Sequence, residues 1–299
     1  MMISSSPAHI IKEITYQLPP HLPNNIRQCY AHWIIEHVTQ KPLITLFTLQ
    51  EITLTSQQAT LLSTILYNMT HLMMPLAYAL TSVPFHHLTL TVKPPILIPR
   101  KETELWLADL IETLHPFKDD ALTLFDVGTG SGCIALTLAH LYPRWTIYAV
   151  DINPEALNLA RHNGLKHNIH NVKFILSDLF THIPSSVKAD MIISNPPYIP
   201  EEEWAKLDPS VKEWEDYHAL CAQEEGLFFI TNIIRQSPQY FNNHSPLLKS
   251  PHIPQLVLEC GYNQGSKIKQ ILASYNYTHV IIENDLAHHN RVVKARHAL

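Results

Sequence analysis

Asp126-Val127-Gly128-Thr129-Gly130-Ser131-Gly132 places three of the chain's seven glycines within five positions. Seven glycines in 299 residues is about a third of the usual ~7%, so the cluster marks a turn that needs them. The run before it, Ala121-Leu-Thr-Leu-Phe-Asp126-Val127, reads as a buried strand, and Cys133-Ile-Ala-Leu-Thr-Leu-Ala-His-Leu141 reads as a helix. Strand, glycine turn and helix N-terminus together let backbone approach a nucleotide closely. A dinucleotide fingerprint needs G-x-G-x-x-G, and Cys133 stands where its third glycine should be. The pattern present is D-x-G-x-G-x-G; a tight turn without a ligand is the alternative reading.

Composition sets the outer limits. A chain of this length holds one domain of about 200 residues and a smaller one. Hydrophobic residues at 46% and charged residues at 16% describe a soluble globule, and no apolar run reaches the ~18 residues of a membrane span. The N-terminus lacks the basic region and apolar core of a secretory signal. Cys29, Cys133, Cys221 and Cys260 form no C-x-x-C pair, which fits free thiols in a reducing cytoplasm and no zinc site. The net charge of −5 disfavours a polyanionic substrate, because phosphate neutralisation needs a basic surface. Twenty histidines include the pairs His86-His87 and His288-His289, but none stands in a metal-ligand arrangement.

The first 75 residues predict a separate helical region. Ile26, Cys29, Tyr30, Trp33, Ile34 and Val38 recur at helical spacing. Thr55-Ser-Gln-Gln58 is a capping-box pattern ahead of Leu62, Ile65, Leu66, Met69 and Met73. This region is either a partner-docking module or a bundle that packs on the main domain. Residues 76–104 predict a hairpin-like connector, with Leu88-Thr-Leu-Thr-Val92 alternating like a half-exposed strand. From there helix and strand patterns alternate, with a helix through 105–114 and strands at 121–127, 145–151, 172–178, 190–194, 255–261, 279–283 and 291–296. Strands separated by helical stretches imply an α/β fold, a mostly parallel seven-stranded sheet with helices on both faces. The last two strands are too close for a crossover helix, so they should pair antiparallel.

Ligands of such sheets bind outside the carboxyl ends of the strands. The second strand ends in Asp151, 19 residues after Gly132, where a carboxylate can accept from two ribose hydroxyls. Capping of the next helix can fall to Asn153 instead. The third ends in Ser177-Asp178-Leu179; Asp178 could accept an adenine amino group and Leu179 could cover the ring. The fourth ends in Asn195-Pro196-Pro197-Tyr198. Two prolines fix φ and remove N–H donors, leaving the Pro196 carbonyl as an acceptor beside the side-chain oxygen of Asn195. Two adjacent acceptors suit the two hydrogens of an –NH₂ group, and Tyr198 offers a flat face for a planar amide or base.

The glycine motif resembles that of S-adenosylmethionine-dependent methyltransferases. Together with Asn195-Pro-Pro-Tyr198 it is similar to the class I (Rossmann-like) amino-methyltransferases, which methylate planar nitrogens of adenine, guanine or glutamine. Pro75-Leu-Ala-Tyr78, Phe85, Leu97-Ile-Pro-Arg100, Glu102-Thr-Glu104, Leu258-Glu-Cys-Gly261 with Gln264-Gly265, and Asp285-Leu-Ala with Arg291-Val-Val narrow the resemblance. They resemble the HemK/PrmC family, the peptide chain release factor glutamine methyltransferases, in the right order from Pro75 to Arg296. Lys101 replaces a usual proline, Thr81 a common glycine, Asp216 follows Glu215 where the family has a Glu-Pro pair, and Gln223-Glu224 replaces a glycine pair.

The resemblance implies a methyltransferase domain over 105–299 and a substrate-docking role for 1–75. The implied cofactor is S-adenosylmethionine, with S-adenosylhomocysteine as product and no metal. It would be held by Asp126, Gly128, Thr129, Gly130, Ser131, Gly132, Asp151, Asp178, Leu179 and Asn195. Catalysis would fall to Asn195, Pro196 and Tyr198, which with Pro197 would also bind the substrate. The implied partners are class I peptide chain release factors, met by a cytoplasmic monomer with no stable nucleic-acid or membrane contact. A glutamine amide is a poor nucleophile because its lone pair is drawn into the C–N bond. Acceptors at Asn195 and Pro196 would orient it and favour the positive charge developing on nitrogen. The competing expectation is an adenine or guanine amino-methyltransferase acting on DNA or RNA.

Overall fold

The computed structural model describes residues 3–298. Contacts divide them into two compact units: the described residues up to Ser82 with Asp208–Trp214, and Val83–Leu207 with the described residues from Glu215 onward.

The second unit is built on a seven-stranded sheet. Its strands are β1 (Thr123–Val127), β2 (Thr146–Asp151), β3 (Val172–Leu176), β4 (Met191–Ser194), β5 (Leu256–Glu259), β6 (Tyr277–Asn284) and β7 (Asn290–His297). Their spatial order is β6-β7-β5-β4-β1-β2-β3. The neighbours from β5 to β3 run parallel, and β7 runs antiparallel to both β5 and β6. The expected class I Rossmann-like architecture is therefore present, with its antiparallel final strand. The short link between β6 and β7 dictates that pairing, since a parallel return needs a crossover of a dozen residues or more.

Both faces of the central strands are covered, which is why those strands read as continuous apolar runs. Leu124 of β1 joins one core with Trp106, Leu107, Leu136, Ile193 and Val257. Its neighbour Phe125 joins the opposite core with Val150, Ile192, Ile233, Ile268 and Leu272. The covering helices include α1 (Lys101–Leu114), α2 (Cys133–Leu141), α3 (Pro154–Lys166), α4 (Phe228–Gln236) and α5 (Gly265–Ser274). Helix α1 begins four residues earlier than its apolar spacing indicates, because Glu102 and Glu104 suit the positive end of a helix dipole. Between β3 and β4 the chain crosses in turns and irregular backbone, with no helix among the described residues, contrary to the expected alternation.

Ahead of α1, Ser82–Phe85 and Leu88–Thr91 form a two-stranded hairpin. Asn163, fully buried on α3, accepts from Thr91 N at 2.8 Å and donates to Thr91 O and Ser131 O at 3.0 Å each. One side chain thus ties the hairpin to the glycine loop.

The first unit is helical, over Pro7–Gln17, Asn24–Thr39, Leu43–Phe47, Ser56–His71 and Leu76–Ala79. The capping box of Thr55 and Gln58 is formed as the sequence indicates. Two expectations change. Ile3–Ser5 pairs antiparallel with Ile52–Leu54, a ribbon too short to leave a periodic signal. Within Asn24–Thr39 the buried face is Ala31, Ile34, Ile35 and Val38, while Cys29 and Trp33 are exposed. Alanine packs at the close helix contact, and the bulky Trp33 turns outward to stack on Tyr30. Helix Pro209–Trp214 belongs to this unit, and Trp214 Nε1 donates to Leu72 O at 2.8 Å.

Thr81 closes helix Leu76–Ala79 in the left-handed region, at φ 56, with its N–H donating to Tyr78 O. A side chain costs roughly 1–2 kcal/mol there, against a glycine entropy cost of about 0.5–1 kcal/mol. Thr81→Gly is expected to stabilise the protein by up to about 1 kcal/mol. A urea midpoint that stays put or falls would contradict this. Among the described residues no helix is long and apolar enough to cross a membrane.

Candidate active site

The carboxyl ends of β1 to β4 open onto a cavity of about 470 Å³. Gly128, Gly130, Asp151, Asp178, Leu179, Asn195, Pro196 and Pro197 all line it, and Val127, Val150, Phe229 and Ile233 supply apolar wall. The strand-end residues from Gly128 to Pro197 are thus brought to one hollow. Asp126, Thr129, Ser131, Gly132 and Tyr198 do not line it.

Those four loop residues shape the turn from beneath. Asp126 is buried; its Oδ2 accepts from Thr129 Oγ1 at 2.6 Å and from Ala135 N at 3.1 Å, so it clamps the loop to the start of α2. Burial pushes its carboxyl up to about 7, against the opposing pull of those two donors. Thr129 and Ser131 are buried. A side chain at Gly132 would come within 2.8 Å of Leu136. By contrast, a Cβ at Gly130 would meet no atom within 4 Å, and one at Gly128 only Asn195 O at 3.8 Å.

Asp151 spans the loop and the next turn. Oδ2 accepts from Gly130 N at 2.8 Å and Oδ1 from Asn153 N at 2.9 Å. Each carboxylate oxygen has a second lone pair for a ligand hydroxyl. Burial raises its pKa, and the backbone donors oppose that rise. Asn153 itself caps α3 by accepting from Glu155 N, which leaves Asp151 free of capping duty. At the rim, Asp216 N donates to Pro95 O at 2.9 Å, and Arg100 pairs with the buried Glu215.

Ser194, the last residue of β4, donates from Oγ to Val127 O at 2.6 Å and locks the ends of β4 and β1 together. Asn195 follows. Its Nδ2 donates to Thr103 Oγ1 at 3.2 Å, and neither its Oδ1 nor the Pro196 carbonyl accepts a hydrogen bond from the described residues. Tyr198 is tied from behind: its hydroxyl donates to Glu259 Oε1 at 3.3 Å and accepts from Arg291 at 3.4 Å. Burial first, and then the Glu259 charge, hold the phenol far above its ordinary pKa. Gln264 reads the backbone around it, donating to Tyr198 O and Glu225 O and accepting from Gly261 N.

Thr103, Trp106, Glu259 and Arg291 carry no local signal of a role at Asn195 or Tyr198. Thr103, Glu259 and Arg291 fall in segments that match the family, which is the only pointer to them. Among the described residues no group of three or more His, Cys, Asp or Glu could hold a metal ion.

The sheet order, the glycine loop and the strand-end residues define a class I methyltransferase. Residues 104–207 match the Methyltransferase small domain family. A methyltransferase from Pyrococcus furiosus has the same fold, with TM-score 0.50 at 15% identity over 79% of this chain and 98% of that one. The release factor glutamine methyltransferase of Coxiella burnetii is 34% identical over 96% of this chain and 98% of its own length. That of Clostridium botulinum is 35% identical over 75% and 76%, whereas the match to the Fusobacterium nucleatum protein spans only 60% of that relative. This chain belongs to the release factor glutamine methyltransferase family, whose members are S-adenosylmethionine-dependent methyltransferases.

Proposed function

We propose that the protein transfers a methyl group from S-adenosylmethionine to the side-chain amide nitrogen of glutamine in the Gly-Gly-Gln motif of class I peptide chain release factors. The observation that carries this reading is the pair of free acceptors, Asn195 Oδ1 and the Pro196 carbonyl, on the wall of the cavity. The cavity's donor set fits the cofactor. Asp151 offers two acceptor oxygens to a ribose, Leu179 and the apolar wall suit a ring, and no protein atom fills the space over Gly130. When bound, S-adenosylmethionine supplies an electrophilic methyl group on a positively charged sulfur.

The residues of the chain orient, hold and stabilise. Asn195 and Pro196 accept the two amide hydrogens and so fix the nitrogen lone pair toward the cavity. The same two dipoles favour positive charge on that nitrogen, which is larger in the transition state than in the bound amide. Tyr198, held by Glu259 and Arg291 outside the cavity wall, is the residue we assign to give the flat amide a face as it approaches Asn195 and Pro196. Asn195 and Pro196 carry no base of their own, and none is required before transfer, because a methylated, positively charged amide is acidic enough to lose its proton to water.

We assign release factor docking to residues 1–75, which hold no group of the site and leave Tyr16 and Ile44 about four-fifths exposed. Translation termination places the enzyme in the cytoplasm. Purified protein, labelled cofactor and a class I release factor, offered beside bulk RNA and DNA, test the whole reading. Label is expected on the glutamine of the Gly-Gly-Gln peptide; label on a base would favour the nucleic-acid alternative. Ile44→Glu is expected to raise KM for the intact factor several-fold and to leave a short Gly-Gly-Gln peptide unaffected. An unchanged KM for both would remove Ile44 from the docking surface.

A further inference from the structure

Glu259, at the end of β5, is 1% exposed and receives three donors. Oε2 accepts from Thr103 Oγ1 at 2.6 Å and from Trp106 Nε1 at 2.8 Å, and Oε1 accepts from Tyr198 OH at 3.3 Å. We infer that Glu259 and Thr103 are positioning residues that set which end of the Asn195 amide faces the substrate. This rests on the reading of Asn195 Oδ1 as an acceptor for a substrate –NH₂.

A threonine hydroxyl has one hydrogen, and at 2.6 Å from a carboxylate oxygen that hydrogen goes to Glu259. The Thr103 oxygen is then left with lone pairs only, so the group it meets at 3.2 Å must be the –NH₂ end of Asn195. The carbonyl end is thereby turned the other way, as an acceptor. Without the hydroxyl, either end of Asn195 could point to the substrate. In the flipped state its –NH₂ would confront the substrate's –NH₂, donor against donor. A carboxylate is what this arrangement requires, because three donors converge on it and a glutamine would offer them a single oxygen. Through its other oxygen the same carboxylate holds Tyr198, so one buried group orders both the acceptor and the face of the site.

A purely structural role, stapling α1 to β5, would account for the Trp106 bond and predicts no effect on turnover from losing the Thr103 hydroxyl. Thr103→Val keeps the side chain's shape and removes only the hydroxyl; Thr103→Ser keeps the hydroxyl. The full-length variants are compared for cofactor affinity, for kcat and KM with a class I release factor, and for the Asn195 side-chain amide resonances. T103V is expected to lose roughly 10–100-fold in kcat, with cofactor affinity within threefold and the Asn195 resonances displaced. T103S is expected to recover kcat to within about threefold of the parent and to restore the resonances. Glu259→Gln, a second variant of unchanged volume, is expected to lower kcat with cofactor affinity retained. T103V with parental kcat, or with undisturbed Asn195 resonances, would overturn the inference. A parent enzyme that leaves the release factor unlabelled would instead defeat the functional reading, and the Asn195 resonances would still decide this one.

Discussion

Asn195→Ala is expected to bind S-adenosylmethionine within a few-fold of the parent protein and to transfer methyl groups about 10²–10³-fold more slowly. The two effects separate because the groups do. Asp151, the glycine loop and the apolar wall remain in place in this variant, so most cofactor contacts survive. What the variant would lose is one of the two acceptors we assign to the substrate nitrogen, a contact that would strengthen as charge develops there. Calorimetry with the cofactor and single-turnover transfer to a release factor measure the two quantities independently. Parallel losses in both would mean that Asn195 serves the cofactor and not the reacting amide.

Asp151→Ala is expected to behave in the opposite way. It should weaken S-adenosylmethionine binding by about 3 kcal/mol, on the order of 10²-fold, the scale of losing charged hydrogen bonds to a ligand. Two backbone donors, Gly130 N and Asn153 N, also lose their acceptor, so the loop itself would be held less firmly. Turnover at saturating cofactor should change much less than affinity. Unchanged affinity by calorimetry would show that the ligand does not meet the end of β2.

The sheet was readable from the sequence because its determinants are local. Each strand carries its own apolar run, and the short link between β6 and β7 forces their antiparallel pairing. The cavity wall was readable for a related reason: in an open sheet, strand ends converge on one side, so Gly128, Asp151, Asp178 and Asn195 could be located from where their strands stop. The support behind Asn195 was not. Thr103 and Glu259 are 156 residues apart, and a contact over that distance leaves no spacing in either segment. The outward turn of Trp33 was hidden for another reason. Helical periodicity gives a stripe, but the fit of Ala31 against its neighbours decides which edge of the stripe is buried. The boundary between the units also escapes a linear reading, since Asp208–Trp214 packs with residues far earlier in the chain.

Among the described residues eleven that are not glycine occupy positive φ, including Thr81, Leu179, Glu224 and Glu225. This chain therefore accepts ordinary side chains in conformations where most proteins put glycine, and positive φ alone does not explain why it keeps one at a given place. Crowding explains some: a Cβ on Gly226 would run into Tyr198 O, and one on Gly265 would lie 2.6 Å from Asn290. It does not explain Gly130, where a methyl group would touch nothing in the protein. In a sequence so sparing of glycine, that open space is where the function proposed above would have the loop meet its guest, so the missing methyl would be volume kept for a ligand and not for the protein.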